Sequence, residues 1–438
     1  MTDRLEAGLI AIVGAEHVRP GASEPAYAVH GRVAPLVAFP GRVAEVSRVL
    51  ALAWDRRLGV VPAGQGNRLG WGGMPRRMDL VLALARLDRI LVHQPADLTM
   101  SVEAGATLGA VNRALAPHGQ LLPLDPARAA RSTIGGLIAT AAAGPYRARY
   151  GTMRDLLLGV TAVRADGTVI RGGGRVVKNV TGYDIPKLLV GALGTLAVVV
   201  EAHLRLHPAP AEERSWLYGF PGPEAALAAA MALADTPVAV SRLELLDRST
   251  LETVGHAEPP DAALAVTIGG VAAAVRAQGE RVAEVCVGGG GRVVTLNDRA
   301  HPEWWTAVSD STWPTAPATT LALRIGTRPG DLVKALRGLD AALGDGVARR
   351  ATAEVLNGVL HAVLEGVPAE ATAPLLERIR RGLAPVEGTC VVEHAPAEAS
   401  GALDFWGSVG PALPAMRRLK AALDEPGLLN PGRFVGGI

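Results

Sequence analysis

Two glycine-rich segments carry the residue types needed to hold a phosphorylated ligand. The first is Pro62-Ala-Gly-Gln-Gly-Asn-Arg-Leu-Gly-Trp-Gly-Gly73, and the second runs from Thr133-Ile-Gly-Gly136 through Gly144-Pro-Tyr-Arg-Ala-Arg-Tyr-Gly151. Glycine brings backbone N–H groups close to a ligand without a Cβ in the way, and successive N–H groups form concave anion sites. Two such segments in one half of the chain predict a single long, charged ligand gripped twice. A dinucleotide pyrophosphate has that form.

The elements around these segments alternate, but irregularly. Residues 43–58 place apolar side chains at helical spacing, and 58–62 reads as a short buried strand that feeds the first glycine segment. Further strands are predicted at 80–84, 99–104, 160–165 and 196–206, with a helix at 108–118 stopped by Pro117 and Gly119. This pattern predicts an α+β fold rather than a strict βαβ repeat. Gly64-x-Gly66-x-x-x-Gly70 superficially matches the Rossmann fingerprint, but that motif must open a helix facing the pyrophosphate. Here Trp71-Gly-Gly-Met-Pro75 follows and cannot propagate one, so the segment does not read as an NAD site.

Pro208-Ala-Pro210 reads as a domain boundary. Beyond it a helix at 223–234, a strand at 238–246 and helix–strand alternations over 271–295 and 330–400 predict a smaller α/β-type sandwich. Gly288 to Gly291 read as a flexible helix-to-strand connection within it, with an anion site as the other reading. With 438 residues the chain exceeds one ordinary core. A net charge of +2 gives no reason to expect nucleic acid or an anionic membrane as partner. Cys286 and Cys390 are the only cysteines, which excludes a disulfide framework, a cysteine zinc site and an intrinsic iron–sulfur cluster. The N-terminus lacks a basic n-region, and the longest apolar run, 188–200, is too short to span a bilayer. The expectation is a cytoplasmic protein without direct membrane insertion, held at the inner face of a membrane only through partners.

Several motifs in order carry a family resemblance. Val60-Val-Pro-Ala-Gly-Gln-Gly-Asn-Arg68, Val102-Glu-Ala-Gly105, Thr133-Ile-Gly-Gly136, Gly191-Ala-Leu-Gly194-Thr195 and Val199-Val-Glu201 resemble the FAD-binding domain of the vanillyl-alcohol oxidase / p-cresol methylhydroxylase (PCMH-type) flavoproteins. Arg68-Leu-Gly-Trp-Gly72, Leu124-Asp-Pro126, Tyr150-Gly-Thr-Met-Arg-Asp155 and Val176-Val-Lys-Asn-Val-Thr-Gly-Tyr-Asp184 narrow it. With Met416-Arg-Arg-Leu-Lys-Ala-Ala-Leu-Asp424 and Leu429-Asn-Pro-Gly-Arg433, they are similar to the FAD-binding subunits E of bacterial glycolate oxidase (glycolate dehydrogenase).

The resemblance implies a lead-in over 1–32 and a PCMH-type FAD-binding domain over 33–210. A substrate/cap domain follows over 211–405, with a segment over 406–438 returning to the FAD domain. It implies that Gly64, Gly66 and Arg68 donate backbone N–H groups to the FAD pyrophosphate, with Pro62, Gln65 and Asn67 in the same loop. Thr133, Gly135 and Gly136 face the pyrophosphate and ribityl side. Gly144, Tyr150 and Gly151 continue along the cofactor, and Gly194 and Val199 lie near the adenine end. Covalent attachment in this superfamily uses His or Cys, and the first loop offers Gln65 and Asn67, so FAD is expected to be non-covalent. Arg147, Arg149 and Arg154 form a basic cluster that would approach phosphate or acidic groups unless it is simply solvated.

The substrate half departs from the catalytic relatives. Those D-lactate and D-2-hydroxyglutarate type dehydrogenases supply a metal through H-A-G-D-G-N-L-H and a following G-E-H-G, and a substrate arginine through Trp-x-x-Arg. Here Glu354-Val-Leu-Asn-Gly-Val-Leu-His361 has Glu for the first His, Val392-Glu-His-Ala395 lacks the last Gly, and Val308 follows Trp305 at the arginine position. Two readings stand. Either no metal is held and the site has decayed, or Glu354, His361 and Glu393 form a mixed carboxylate–imidazole metal site with His394 as catalytic base. The family's complex implies a small 2-hydroxy acid such as glycolate as substrate. It also implies a larger FAD subunit and an iron–sulfur subunit as partners.

Overall fold

The structure, a computed structural model, describes residues 2–174, 183–294 and 301–438. Residues 176–182 of the Val176–Asp184 motif, and the end of the 271–295 alternation, lie outside the described residues.

In the first half, helix Val43–Asp55 buries Val46, Val49, Leu50 and Ala53 along one stripe, as its apolar spacing predicts. It leads into strand Val60–Ala63, which lies parallel to Leu80–Ala83. That strand is in turn parallel to Leu36–Ala38, and Val18–Pro20 adds an antiparallel edge. A second sheet of the described residues is antiparallel throughout, in the order Ile90–Gln94, Thr99–Glu103, Val198–Arg205, Leu157–Val163, Val169–Gly173. Alternate residues of the first sheet, Leu36, Val60, Leu80 and Leu82, share one core with Met100, Val102 and Val198 of the second. The residues between them, Val37, Val61 and Val81, pack under Tyr27 on the opposite face.

The second half is one antiparallel sheet among the described residues. Its order is Arg292–Val294, Glu212–Phe220, Ala262–Gly270, Val240–Asp247, Ala348–Glu354, Val359–Glu365, Thr320–Gly326, Thr389–His394. Helices Pro223–Ala234, Ala272–Gly288, Leu332–Ala342 and Ala369–Leu383 cover one face. The α+β class is the one the irregular alternation predicts. Two central strands were not legible. Glu212–Phe220 opens on Glu-Glu-Arg two residues after Pro210, and Ala262–Gly270 opens on Ala-Ala-Leu-Ala and ends in Gly-Gly, residues with weak strand preference. Both are held by their neighbours rather than by local propensity.

Period-two alternation divides this sheet sharply. Leu243, Leu245, Ala351, Ala353, Leu360, Ala362, Leu321, Leu323, Cys390 and Val392 face the helices. The intervening residues include Arg242, Glu244, Thr352, Glu354, His361, Arg324 and Glu393, and they share the other face. That face is turned to the first half. Arg242 bonds Asp125 at 2.8 Å, and Arg147 reaches Glu354 at 3.5 Å.

The chain then returns to where it began. Leu429 forms a parallel bridge with Val60, Asn430 N–H donates to the Val60 carbonyl at 2.9 Å, and Val60 N–H donates to Leu428 at 2.8 Å. Buried Lys420 and Asp424 pin this return: Lys420 Nζ donates to Asp424 and to the carbonyls of Thr195 and Leu429. Among the described residues no helix is long and apolar enough to cross a membrane.

Candidate active site

Strand Val60–Ala63 runs out into the first glycine loop, which must pass very close to the second segment. A Cβ on Gly64 would stand 2.2 Å from Thr133 Oγ1, and one on Gly66, whose φ is +77°, would stand 2.2 Å from the Ala26 carbonyl oxygen. Only glycine permits both approaches. No helix starts in this loop, as the Trp-Gly-Gly-Met-Pro continuation predicts. The amide N–H groups of Gln65, Gly66, Asn67 and Arg68 donate to no protein acceptor among the described residues. Such a run of free donors along a cleft is a concave anion site.

The second segment is used differently. Thr133 caps the short helix Ile134–Thr140, its Oγ1 accepting from Gly136 N–H at 3.2 Å, while Gly135 N–H donates to the Ala104 carbonyl at 2.7 Å. Those two amides are therefore committed to the fold, and the glycines serve by bulk. Gly136 and Gly135 let the cleft continue, and Gly135 has Ala104 within 2.9 Å of where its Cβ would be.

Two contiguous clefts follow the loop. Pro62, Gly64 and Gly136 line both of them. Gln65, Gly66, Asn67, Arg68 and Thr133 line the first, and Gly135, Gly194 and Val199 the second. Gly144, Tyr150 and Gly151 lie elsewhere. Gly144 packs on the Asp125 backbone, Tyr150 stacks edge-on against Tyr146 and His207, and Gly151 closes the turn after Arg147–Tyr150. The arginine cluster also disperses, since Arg149 binds the Ala239 carbonyl and Arg154 that of Lys187. Asn430 and Arg433 complete the first cavity from the returning tail. Arg433 holds the loop itself, donating to the carbonyls of Leu69 and Trp71. Among the described residues no His or Cys lines either cavity.

A third cavity of about 460 Å³ lies under the polar face of the second sheet and shares Arg68 with the first. Pairing across the sheet puts Arg324 opposite His361 and Glu354 opposite Glu244. His361 Nε2 is 3.3 Å from Glu354, and its Nδ1, which has no hydrogen-bond partner, is 3.8 Å from Glu393. Arg324 bonds Glu393 at 3.0 Å. Burial pulls His361 toward the neutral form, but Glu354 and Glu393 outweigh it and raise its pKa to about 10. Burial pushes Glu393 up, yet His361, Arg324 and Arg68 hold it below the usual carboxylate value. Burial and the neighbouring Glu354 push Glu244 well above the usual carboxylate value. The site at neutral pH is thus an imidazolium between carboxylates.

Glu354, His361 and Glu393, the residues of the metal alternative, do converge. As they stand, no group of three or more His, Cys, Asp or Glu among the described residues has the geometry to hold an ion. Val308 lines the small acidic cavity beside His361, without charge. His394 stands apart from the third cavity, its Nε2 bonded to the Pro317 carbonyl at 2.9 Å, and burial lowers its pKa. Sequence reasoning missed Arg324, Asn430 and the side chain of Arg68, whereas Arg147, expected in a basic cluster, reaches the acidic group of Glu354. Their roles depend on which strands and segments become neighbours.

Comparison with known proteins agrees with this geometry. The family described as FAD binding domain matches residues 34–173, and that described as FAD linked oxidases, C-terminal domain, matches residues 209–434. A probable mitochondrial D-lactate dehydrogenase of Danio rerio is 27% identical over 423 residues, 91% of this chain and 84% of that protein. The glycolate oxidase subunit GlcD of Bacillus subtilis is 28% identical over 91% of this chain and 88% of its own length. The structure of p-cresol methylhydroxylase with substrate bound aligns over 98% of this chain and 96% of that one, with a TM-score of 0.74 at 16% identity.

Proposed function

The chain belongs to the FAD linked oxidases, and on that premise we propose that it oxidises a small 2-hydroxy acid such as glycolate to the 2-oxo acid. It does so as one subunit of a complex with a larger FAD subunit and an iron–sulfur subunit. The observation that carries this reading is the shared wall. The cavity holding His361, Glu393 and the arginines adjoins the glycine-loop cleft at Arg68. When bound, FAD supplies the two-electron acceptor, and the glycine loop's free amides suit its pyrophosphate.

The chain's own residues then have distinct tasks. Arg68, Arg147 and Arg324 give the cavity a cationic lining that suits an acid anion. His361 Nδ1–H, which has no acceptor, steadies the substrate hydroxyl oxygen, and ionised Glu393 receives its proton. A weak base suffices, because the hydroxyl becomes strongly acidic as hydride leaves its carbon. His394, with its Nε2 engaged, is not needed as the base in this scheme. Two cysteines cannot ligate a cluster, which supports electron exit to a partner that can.

Similarity to a D-lactate dehydrogenase over 91% of the chain favours a second reading, a stand-alone dehydrogenase. Anaerobic mixing with glycolate or D-lactate, followed by flavin absorbance, tests both. Bleaching only with partner subunits supports the complex, and rapid bleaching of the lone chain supports the stand-alone enzyme. No bleaching even in the complex would leave FAD as an electron relay.

A further inference from the structure

The charged groups of the third cavity pair off, with one exception. Arg324 is matched to Glu393, Arg147 to Glu354, and His361 lies between both carboxylates. Arg68 has no carboxylate within ion-pair distance among the described residues, and its Nε is buried with no hydrogen-bond partner. The side chain is nonetheless firmly aimed. Its Nη2 donates to the Ala127 carbonyl at 2.6 Å, and its guanidinium carbon lies 5.3 and 5.5 Å from the ring centres of Trp71 and Trp313. Burial lowers its pKa to about 10, despite the neighbouring charge of Glu393. A buried cation without a counter-ion is costly, and a bound anion removes that cost.

We propose that Arg68 is the anchor for the substrate carboxylate, reaching the cavity from the cofactor loop instead of from the sheet that carries the other charged groups. This rests on the hydroxy-acid reading above. Val308 brings no charge to the cavity beside His361, so the loop supplies the cation that this position does not. An arginine also suits the planar, forked geometry of a carboxylate better than a lysine does.

The probe is oxalate, a two-carbon dicarboxylate with no hydroxyl carbon to oxidise, titrated into the FAD-loaded chain. Its dissociation constant is read from the flavin spectrum and from the rise in Tm, and the FAD dissociation constant is measured alongside. In Arg68→Met, oxalate binding should weaken about 30-fold or more, and by clearly more than FAD affinity does. In Arg68→Lys the loss should be smaller. If Arg68→Met fails to fold, Arg68→Lys carries the test, with unchanged oxalate affinity overturning the proposal. It is equally overturned if Arg68→Met keeps its oxalate response but loses FAD, since the guanidinium would then serve the cofactor phosphates. Oxalate binding needs no turnover. Arg68-dependent oxalate binding without substrate bleaching, even with partner subunits present, would therefore sink the oxidation reading and leave an anion anchor at Arg68 standing.

Discussion

At the scale of single residues, the charge state of His361 governs a pH window. Its pKa is raised to about 10 in the fold, against roughly 6.5 in an unfolded chain. Because the folded value is the higher one, its contribution to stability is complete below about pH 6.5 and is lost as pH rises through about 10. His361→Gln should therefore flatten the fall of Tm across that window, and parallel curves for the two proteins would refute the imidazolium. Arg242 offers a second measurement. It bonds Asp125 at 2.8 Å and Glu213 at 3.1 Å and lies 3.5 Å from the Tyr146 ring centre, and these neighbours outweigh burial in keeping it charged. Arg242→Met strands two carboxylates between the halves and should cost about 3–5 kcal/mol in denaturant unfolding. A loss below about 1 kcal/mol would mean that water replaces the pairing.

At the scale of elements, the glycine loop and the polar sheet face differ in how readable they are. The loop was legible because its chemistry is local. Gly64 and Gly66 are demanded by contacts that no other residue allows, and the Trp-Gly-Gly-Met-Pro continuation rules out a helix. Gly64→Ala should push the loop off Thr133 and weaken FAD binding about tenfold or more, in line with the cost of overpacking. Fluorescence titration of the apoprotein would measure it, and unchanged affinity would show that the loop can shift. The sheet face was only half legible. Alternation within a strand tells which residues share a side, and the eroded motifs pointed to Glu354, His361 and Glu393. Strand order is not local, so nothing in residues 320–326 announces that Arg324 will lie opposite His361. The same holds for Gly144 and Tyr150. They follow the second glycine segment in sequence, yet after Ile134–Thr140 the chain turns toward Asp125 and the second sheet.

At the scale of the molecule, no His or Cys among the described residues walls the cofactor cleft, so acid precipitation should leave a white pellet and a yellow supernatant. Flavin retained on the pellet would contradict this. The returning tail has a further consequence, for the order in which the protein can be made. Arg433 holds the carbonyl of Leu69, 364 positions earlier in the chain. Synthesis delivers residues at roughly 5–20 per second, so the glycine loop leaves the ribosome many seconds before its last support. During that interval the first half can fold its sheets, but the cleft lacks Asn430 and Arg433, and the sheet bearing His361 is still being translated. Cofactor capture is therefore a late event in biogenesis. Ribosome-stalled chains ending before residue 424 should emerge colourless, however much FAD the cell contains.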